Sequence, residues 1–150
     1  MKCNKLILIL GVCLFQAMLS AQEINRDSVL KNMQLANNYF MEKWQDVGKT
    51  IITNKKRPSN IWTRGVYYEG LMALHEIYPK EEYYNYAYDW AEFHKWSFRY
   101  GTANRNADDY CAAQTYIDLY NLEPDSKKLK NTKATINMLL NTPQVDDWSW

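Results

Sequence analysis

The sequence predicts an all-α protein built from helical hairpins, and three observations lead to this fold class. Apolar side chains recur at intervals of three and four residues in five segments between about residues 27 and 140. Short turns that contain a proline separate two pairs of these segments, as expected for antiparallel helical hairpins. No stretch alternates polar and apolar residues over a useful length, so no strand is predicted.

The first 21 residues have the pattern of an export signal. Two lysines precede an apolar run from Leu6 to Phe15, and Ser20-Ala21 supplies small residues before the expected cut. The sequence therefore predicts a signal peptide at residues 1–21, a mature chain at residues 22–150, and a secreted or periplasmic location. No later segment is long enough to span a membrane.

Charge, cysteines and histidines argue against several classes of site. The formal net charge of +1 becomes −1 when Lys2 and Lys5 leave with the signal, which gives no nucleic-acid footprint. Two of the three cysteines also leave, so no internal disulfide is predicted and Cys111 is expected to be a small buried hydrophobe. His75 and His94 have no acid or cysteine at ligand spacing, so no metal site is predicted.

The first three helices are predicted from Asp27 to Trp44, from Trp62 to just before Pro79, and directly after Pro79. The basic segment between the first two is expected to be a solvated loop. Gly65 and Gly70 lie in the second helix, where each costs about 1 kcal/mol relative to alanine. We therefore expect a neighbouring helix or a ligand to approach closely at these glycines.

The fourth and fifth helices are predicted from Asp108 to Tyr120 and from Ser126 to Leu140. The fourth is apolar on nearly every face, which predicts an interior position. The fifth is one-sided, and its lysines are expected outside: Lys127, Lys128, Lys130 and Lys133. Tyr78 and Tyr120 close corresponding helices 42 residues apart (120 − 78), which suggests a hairpin repeat of that length.

The acid pair Asp108 and Asp109 is the main candidate for chemistry. A carboxylate at a helix start can accept backbone N–H bonds and complement the macrodipole. One cap needs only one carboxylate, however, and paired acids can separate their pKa values. The pair is therefore either a cap or the polar floor of a site. The 12 Tyr, six Trp and four Phe are likewise open to two interpretations: packing between helices, or stacking on sugar faces.

The sequence ends on Trp148-Ser149-Trp150, directly after a predicted loop. Two exposed tryptophans at a free terminus would cost on the order of 2 kcal/mol each. We therefore expect the natural domain to continue past Trp150, with residues 22–150 as its truncated amino-terminal part.

Three segments together resemble one family: Ile61-Trp62-Thr63-Arg64-Gly65-Val66, Asn106-Ala107-Asp108-Asp109-Tyr110 and Trp148-Ser149-Trp150. In this order they are similar to inner-face motifs of the unsaturated glucuronyl and rhamnogalacturonyl hydrolases, glycoside hydrolase families 88 and 105. The resemblance covers Ile24 to Trp150 but only the amino-terminal portion of the family's domain. It implies an (α/α)6 barrel of six helical hairpins, of which this chain would form an incomplete part, with the active site at one open end.

The resemblance also implies a reaction. These enzymes act on oligosaccharides that carry a 4,5-unsaturated uronic acid at the non-reducing end. An aspartic acid protonates C4 of the vinyl ether and helps water add at C5, and the resulting hemiketal opens and releases the neighbouring sugar. No metal or organic cofactor takes part, and the reaction differs from the usual two-carboxylate scheme of glycosidases.

Where its motifs match those of the family, the resemblance implies that Asp108 is the carboxylate that assists at the sugar. The substrate contacts that it implies are Trp62, Asp109, Trp148 and Trp150. The general acid/base aspartate follows the Trp-x-Trp segment by two residues, past Trp150, so this chain is expected to be inactive. Ala113 departs from the glycine common in this motif. Arg64 could meet a uronate carboxylate, although an exposed arginine at a helix start is the expected role.

Two other functions are compatible with the pattern. The first is a non-catalytic helical-repeat binding or scaffold protein, which should end in a capping helix with a polar outer face rather than in Trp-Ser-Trp. The second is a glycosidase or lyase of another (α/α) toroid family that uses a different acid pair. The predicted partner is an oligosaccharide containing an unsaturated uronic acid. No nucleic acid is predicted as a partner, nor a membrane after signal removal, and the oligomeric state stays open.

Overall fold

A computed structural model describes residues 25–52 and 54–142. The predicted signal peptide and the segment with Trp148 and Trp150 lie outside the described residues. The chain divides into two compact units, residues 1–33 and 34–150. The described part of the first unit is the start of a helix, where the Asn25 side chain accepts a hydrogen bond from the Ser28 amide at 3.0 Å. The contacts between elements given below all belong to the second unit.

Helices make up most of the described chain, as predicted. They are α1 (Arg26–Lys43), α2 (Trp62–Ile77), α3 (Glu81–Phe93), α4 (Ala107–Tyr110), α5 (Ala112–Leu122) and α6 (Ser126–Asn141). The predicted fourth helix is two elements, because helical hydrogen bonding is interrupted at Cys111. No helix in this part of the chain is long and apolar enough to cross a membrane.

A small hairpin departs from the all-helical prediction. Strands β1 (Ile51–Ile52) and β2 (Lys56–Arg57) pair antiparallel, with Ile51 opposite Arg57 and Ile52 opposite Lys56. The prediction of a loop without strands is wrong at these four residues. Strands of two residues are too short to show an alternating pattern, which is why the sequence does not reveal them.

Two helical hairpins, α2–α3 and α5–α6, form the body of the described structure. Helices α2 and α5 make the most extensive contact with each other, and α3 and α6 pack beside them. Helix α6 begins 45 residues after α3 (126 − 81) rather than at the predicted spacing of 42. Tyr120 lies inside α5, and the residue that corresponds to Tyr78 is Glu123. The backbone amides of Tyr78 and Glu123 close α2 and α5, respectively, because each donates a hydrogen bond to the carbonyl four residues earlier.

Aromatic packing fills the core between these helices. The largest side chains without exposed surface include Tyr68, Tyr83, Trp90 and Tyr116. The rings of Tyr68 and Trp90 stack with centroids 4.1 Å apart, and Trp90 also lies 5.8 Å from Tyr116. For these residues the packing interpretation of the aromatic content is confirmed.

Lys128 is buried, contrary to the prediction that the lysines of the last helix all lie outside. Its side chain caps the carboxyl end of α5: Nζ donates to the carbonyls of Glu123 (2.8 Å) and Leu119 (3.1 Å) and to the hydroxyl of Tyr84 (3.3 Å). The last carbonyls of a helix lack intrahelical partners and carry partial negative charge, which explains the position of the ammonium group. The other three lysines are exposed as predicted.

Candidate functional site

The start of α2 packs directly against the junction of α4 and α5. A Cβ added to Gly65 would lie 3.1 Å from Cys111 Cβ and 3.2 Å from the Cys111 carbonyl carbon. The predicted close approach at Gly65 is therefore confirmed. At Gly70 the approach of a neighbouring helix is wrong, since a Cβ there would meet no atom within 4 Å, and the approach of a ligand stays a prediction. Because Trp62 lies one turn before Gly65, two of the three predicted motifs meet at one end of the hairpins.

The loop between α3 and α4 is tied to the same place. The carbonyl of Ser97 accepts one hydrogen bond from the Asn60 side chain, just before α2, and another from the hydroxyl of Tyr116 in α5, both at 3.1 Å. Farther along this loop, Arg105 donates to the carbonyl of Thr142 and, at 2.9 Å, to its hydroxyl. The loop is thus held at one end by α5 and the residues before α2, and at the other by the end of α6.

Asp108 is exposed and does not cap its own helix. The side chain of Asn106 is the cap, and it accepts a hydrogen bond from the Asp108 amide at 3.0 Å. The Asp108 carboxylate forms no hydrogen bond or ion pair with other residues in the described ranges. It is therefore free to meet a ligand.

Asp109 has the opposite surroundings. Its side chain has no exposed surface, and Arg99 Nε lies 2.7 Å from Oδ1. The other carboxylate oxygen accepts a hydrogen bond from the Asn104 side chain. Its role as a substrate contact stays a prediction, but in this structure protein groups enclose both oxygens. Sequence reasoning missed Arg99 and Asn104, and the only available signal was their position in the polar loop before the acid pair.

Trp62 and Arg64 differ sharply in exposure. Trp62 is 46% exposed, as a residue that stacks on a ligand can be. Arg64 is only 3% exposed, so the prediction of an exposed arginine is wrong. Its guanidinium carbon lies 3.9 Å from the Trp44 ring and 4.9 Å from the Phe40 ring, a cation–π arrangement against α1 and the residue after it. Burial lowers the pKa of Arg64.

Cys111 is half-buried rather than fully buried. Burial raises the pKa of its thiol, and the negative charge of Asp108 raises it further, followed by that of Glu69. Cys111 follows Asp108 by three residues on consecutive helical turns, the spacing at which side chains on one helix face are neighbours.

The two histidines serve local packing. His94 Nε2 lies 2.6 Å from the hydroxyl oxygen of buried Ser59, and burial lowers the pKa of His94 to about 4. His75 Nδ1 accepts a hydrogen bond from the Lys80 amide at 3.3 Å. Within residues 25–52 and 54–142, no three His, Cys, Asp or Glu side chains are grouped so that they could hold a metal ion.

An open groove of about 520 Å³ lies between α2 and α5, away from the predicted site residues. Its acidic lining consists of Glu69, Glu76 and Asp118, and neither Trp62 nor Asp108 lines it. Burial raises the pKa of Asp118, and the charges of the two glutamates add to this. None of the predicted site residues lines this groove, although Glu69 in its lining also raises the pKa of Cys111.

Comparison with known proteins identifies the family. The sequence profile of Glycosyl Hydrolase Family 88 matches residues 32–149. A solved structure of a protein named as a polysaccharide lyase is similar to this one, with a TM-score of 0.65 and 25% sequence identity. The similarity covers 83% of this chain but only 36% of the lyase chain, so this chain spans much less than two thirds of that protein. No curated protein matches the sequence.

These findings confirm the all-α fold class, predicted as helical hairpins that form part of an (α/α)6 barrel. They also place the protein among enzyme families that act on carbohydrates. Because the profile match extends over most of the sequence, the chain belongs to Glycosyl Hydrolase Family 88.

Proposed function

We propose that this chain contributes Asp108 and Trp62 to the site of a glycoside hydrolase acting on oligosaccharides that end in a 4,5-unsaturated uronic acid. The observation that carries the proposal is that the two neighbouring carboxylates, Asp108 and Asp109, have opposite surroundings. Asp109 is enclosed and paired, whereas Asp108 is exposed on the same turn, beside a segment that also presents a half-exposed tryptophan. Membership in Family 88 supports the substrate class.

The proposed reaction adds water across the double bond. An acid donates a proton to C4, and the oxygen of water bonds to C5 while the water gives up a proton to the conjugate base. The C5–O5 bond of the resulting hemiketal then breaks to give a ketone at C5. The hemiacetal left at C1 collapses to an aldehyde and releases the neighbouring sugar as the alcohol. Asp108 assists at the sugar ring, where an exposed carboxylate can orient water and stabilise positive charge that develops at C5. Trp62 offers its ring as a stacking face.

By the family resemblance, the reaction needs a further aspartate as general acid/base that is not among these 150 residues, so we expect the 150-residue chain to bind the sugar without turning it over. The export pattern at residues 1–21 supports a secreted or periplasmic location for the enzyme.

Binding of an unsaturated uronyl disaccharide to the purified chain tests the site, with calorimetry as the readout. We expect Asp108→Asn to weaken binding about 10- to 150-fold, because a hydrogen bond to a charged group contributes about 1.5–3 kcal/mol. Asp118→Asn in the groove between α2 and α5 is the matched control and should leave affinity unchanged. Equal effects of the two variants would contradict a role for Asp108 at the sugar.

Turnover is tested in parallel by following the ultraviolet absorbance of the conjugated double bond. The absorbance should stay constant with the 150-residue chain. Its loss would show that a second acid is already present, and would favour a toroid enzyme with a different acid pair.

A further inference from the structure

Asp108 and Asp109 are neighbours with opposite orientations. Successive residues of a helix are rotated by about 100°. One turn can therefore direct the Asp109 carboxylate inward, where it has no exposed surface, and the Asp108 carboxylate outward. Whatever holds Asp109 also sets the direction in which Asp108 points.

Both oxygens of Asp109 are held by the loop before α4. The Arg99 side chain, which is 7% exposed, forms an ion pair with Nε 2.7 Å from Oδ1 but without hydrogen-bond geometry, and Asn104 donates to Oδ2. A buried carboxylate and guanidinium depend on each other, since removing one partner leaves an uncompensated buried charge. The pair is therefore a strong local restraint.

Asn104 transmits this restraint to Asp108. Its side-chain oxygen accepts a hydrogen bond from the Asn106 amide at 3.1 Å, and the Asn106 side chain accepts one from the Asp108 amide at 3.0 Å. The hydroxyl of Tyr110 donates to the Asn104 carbonyl and closes the turn from the other side. A continuous set of contacts thus runs from the Asp109 carboxylate to the backbone of Asp108.

We infer that Asp109 is a positioning residue, and that the cluster of Arg99 and Asn104 around the buried Asp109 carboxylate fixes the turn that presents the Asp108 carboxylate. The value of this position for binding and turnover rests on the proposed function of Asp108, whereas the restraint itself does not. Misplacement of a reacting group by 1 Å can cost about 100-fold in rate. Asp109 thus supports the site without touching the sugar, unlike its predicted role as a substrate contact.

The thiol of Cys111 supplies a readout that does not require activity. Only the thiolate reacts with iodoacetamide, so the pH profile of alkylation gives the pKa of Cys111, while the limiting rate at high pH reports its exposure. Because the charge of Asp108 raises that pKa, neutralising or displacing Asp108 lowers it. Changing Cys3 and Cys13 to serine leaves Cys111 as the reacting thiol.

A double-mutant cycle decides the inference, with four proteins: the parent, Asp108→Asn, Asp109→Asn and the double variant. We expect Asp108→Asn in the parent to raise the alkylation rate about threefold at pH values below the midpoint of the pH profile. The reason is that the loss of a nearby negative charge lowers the pKa of the thiol. In the Asp109→Asn background the same change should have less than half that effect, since Asp108 is no longer held near the thiol. Equal effects in both backgrounds would overturn the inference.

Asn104→Ala is the second variant, because it keeps both carboxylates and removes only the link between them. It should shrink the effect of Asp108→Asn in the same way, and an undiminished effect would count against the inference even if Asp109→Asn failed to fold. Binding of the unsaturated uronyl disaccharide is measured on the same proteins. A parent chain that does not bind it contradicts the proposed function, while the thiol cycle still decides whether Asp109 positions Asp108.

Discussion

Replacing Lys128 with methionine should destabilise the protein far more than the same change at its neighbour Lys127. Methionine keeps most of the apolar stem of lysine but has no ammonium group. The Lys128 ammonium uses all three donors, on the carbonyls of Glu123 and Leu119 and on the hydroxyl of Tyr84. Lys127 is 47% exposed and pairs at the surface with Glu92 at 2.5 Å.

The magnitude follows from these contacts. Each hydrogen bond from a charged donor contributes about 1.5–3 kcal/mol, and the rings of Tyr84, Tyr88 and Trp96, at 5.4–5.8 Å, add about 0.5–2 kcal/mol. Desolvation of the ammonium offsets several kcal/mol of this gain. We expect a net loss of about 3 kcal/mol for Lys128→Met, against about 0–1 kcal/mol for Lys127→Met.

Urea unfolding followed by circular dichroism measures both variants. A loss of about 3 kcal/mol corresponds to a decrease in Tm of about 6–12 °C for a chain of this size. If Lys128→Met loses no more stability than Lys127→Met, the ammonium does not stabilise the end of α5. The account of the buried lysine as a helix cap would then be wrong.

Two further predictions concern packing and pH. Gly65→Ala should lower the free energy of unfolding by about 1–3 kcal/mol, because its Cβ would press on the Cys111 backbone, whereas Gly70→Ala should raise it by about 1 kcal/mol. Similar changes in the two variants would refute this difference. Since burial lowers the pKa of His94 from 6.5 to about 4, stability linked to neutral His94 is full above pH 6.5 and is lost as the pH falls towards 4. This loss of unfolding free energy is at most about 3 kcal/mol, and the partial exposure of His94 reduces it. In His94→Gln the urea midpoint should therefore depend less on pH over this range. An unchanged slope in that variant would assign the pH dependence to other groups.

Local signals account for how well the helices could be predicted. The bounds of α2 follow from its apolar periodicity and from Pro79 two residues beyond its end, and α6 begins after the cap Asp125, whose side chain accepts from the Lys127 amide at 2.9 Å. The break at Cys111 carries no such signal, because the residues on both sides are compatible with one continuous helix.

Contacts between distant residues account for what the sequence could not reveal. Lys128 and Arg64 look like surface residues until the helices that receive their charged groups are in place. Sequence motifs pointed to Asp108 and Trp62, but the burial of Asp109 depends on the path of the loop that carries Arg99. That path begins with Lys95 and Trp96 at positive φ (53° and 54°), a backbone conformation that is rare for bulky residues.

The left-handed pair is held from outside its own hairpin. Asn131 in α6 donates to the carbonyls of Lys95 (3.1 Å) and Trp96 (3.0 Å), and the buried Trp96 ring packs edge-on against Tyr116. Tertiary contacts of this kind stabilise a conformation that local preference opposes. No pattern within residues 94–100 alone predicts it.

The hairpin repeat has a consequence for how the chain folds. Several hydrogen bonds join a helix to the part of the chain about one hairpin earlier: Tyr67 to Asn37 spans 30 positions, Tyr86 to Trp44 spans 42, and Lys128 to Tyr84 spans 44. Each helix therefore meets its partners soon after it is synthesised, without a long loop to close. We expect folding to proceed by the addition of one hairpin to the next, in the manner of repeat proteins, with the α2–α3 hairpin available as a template before α6 has left the ribosome.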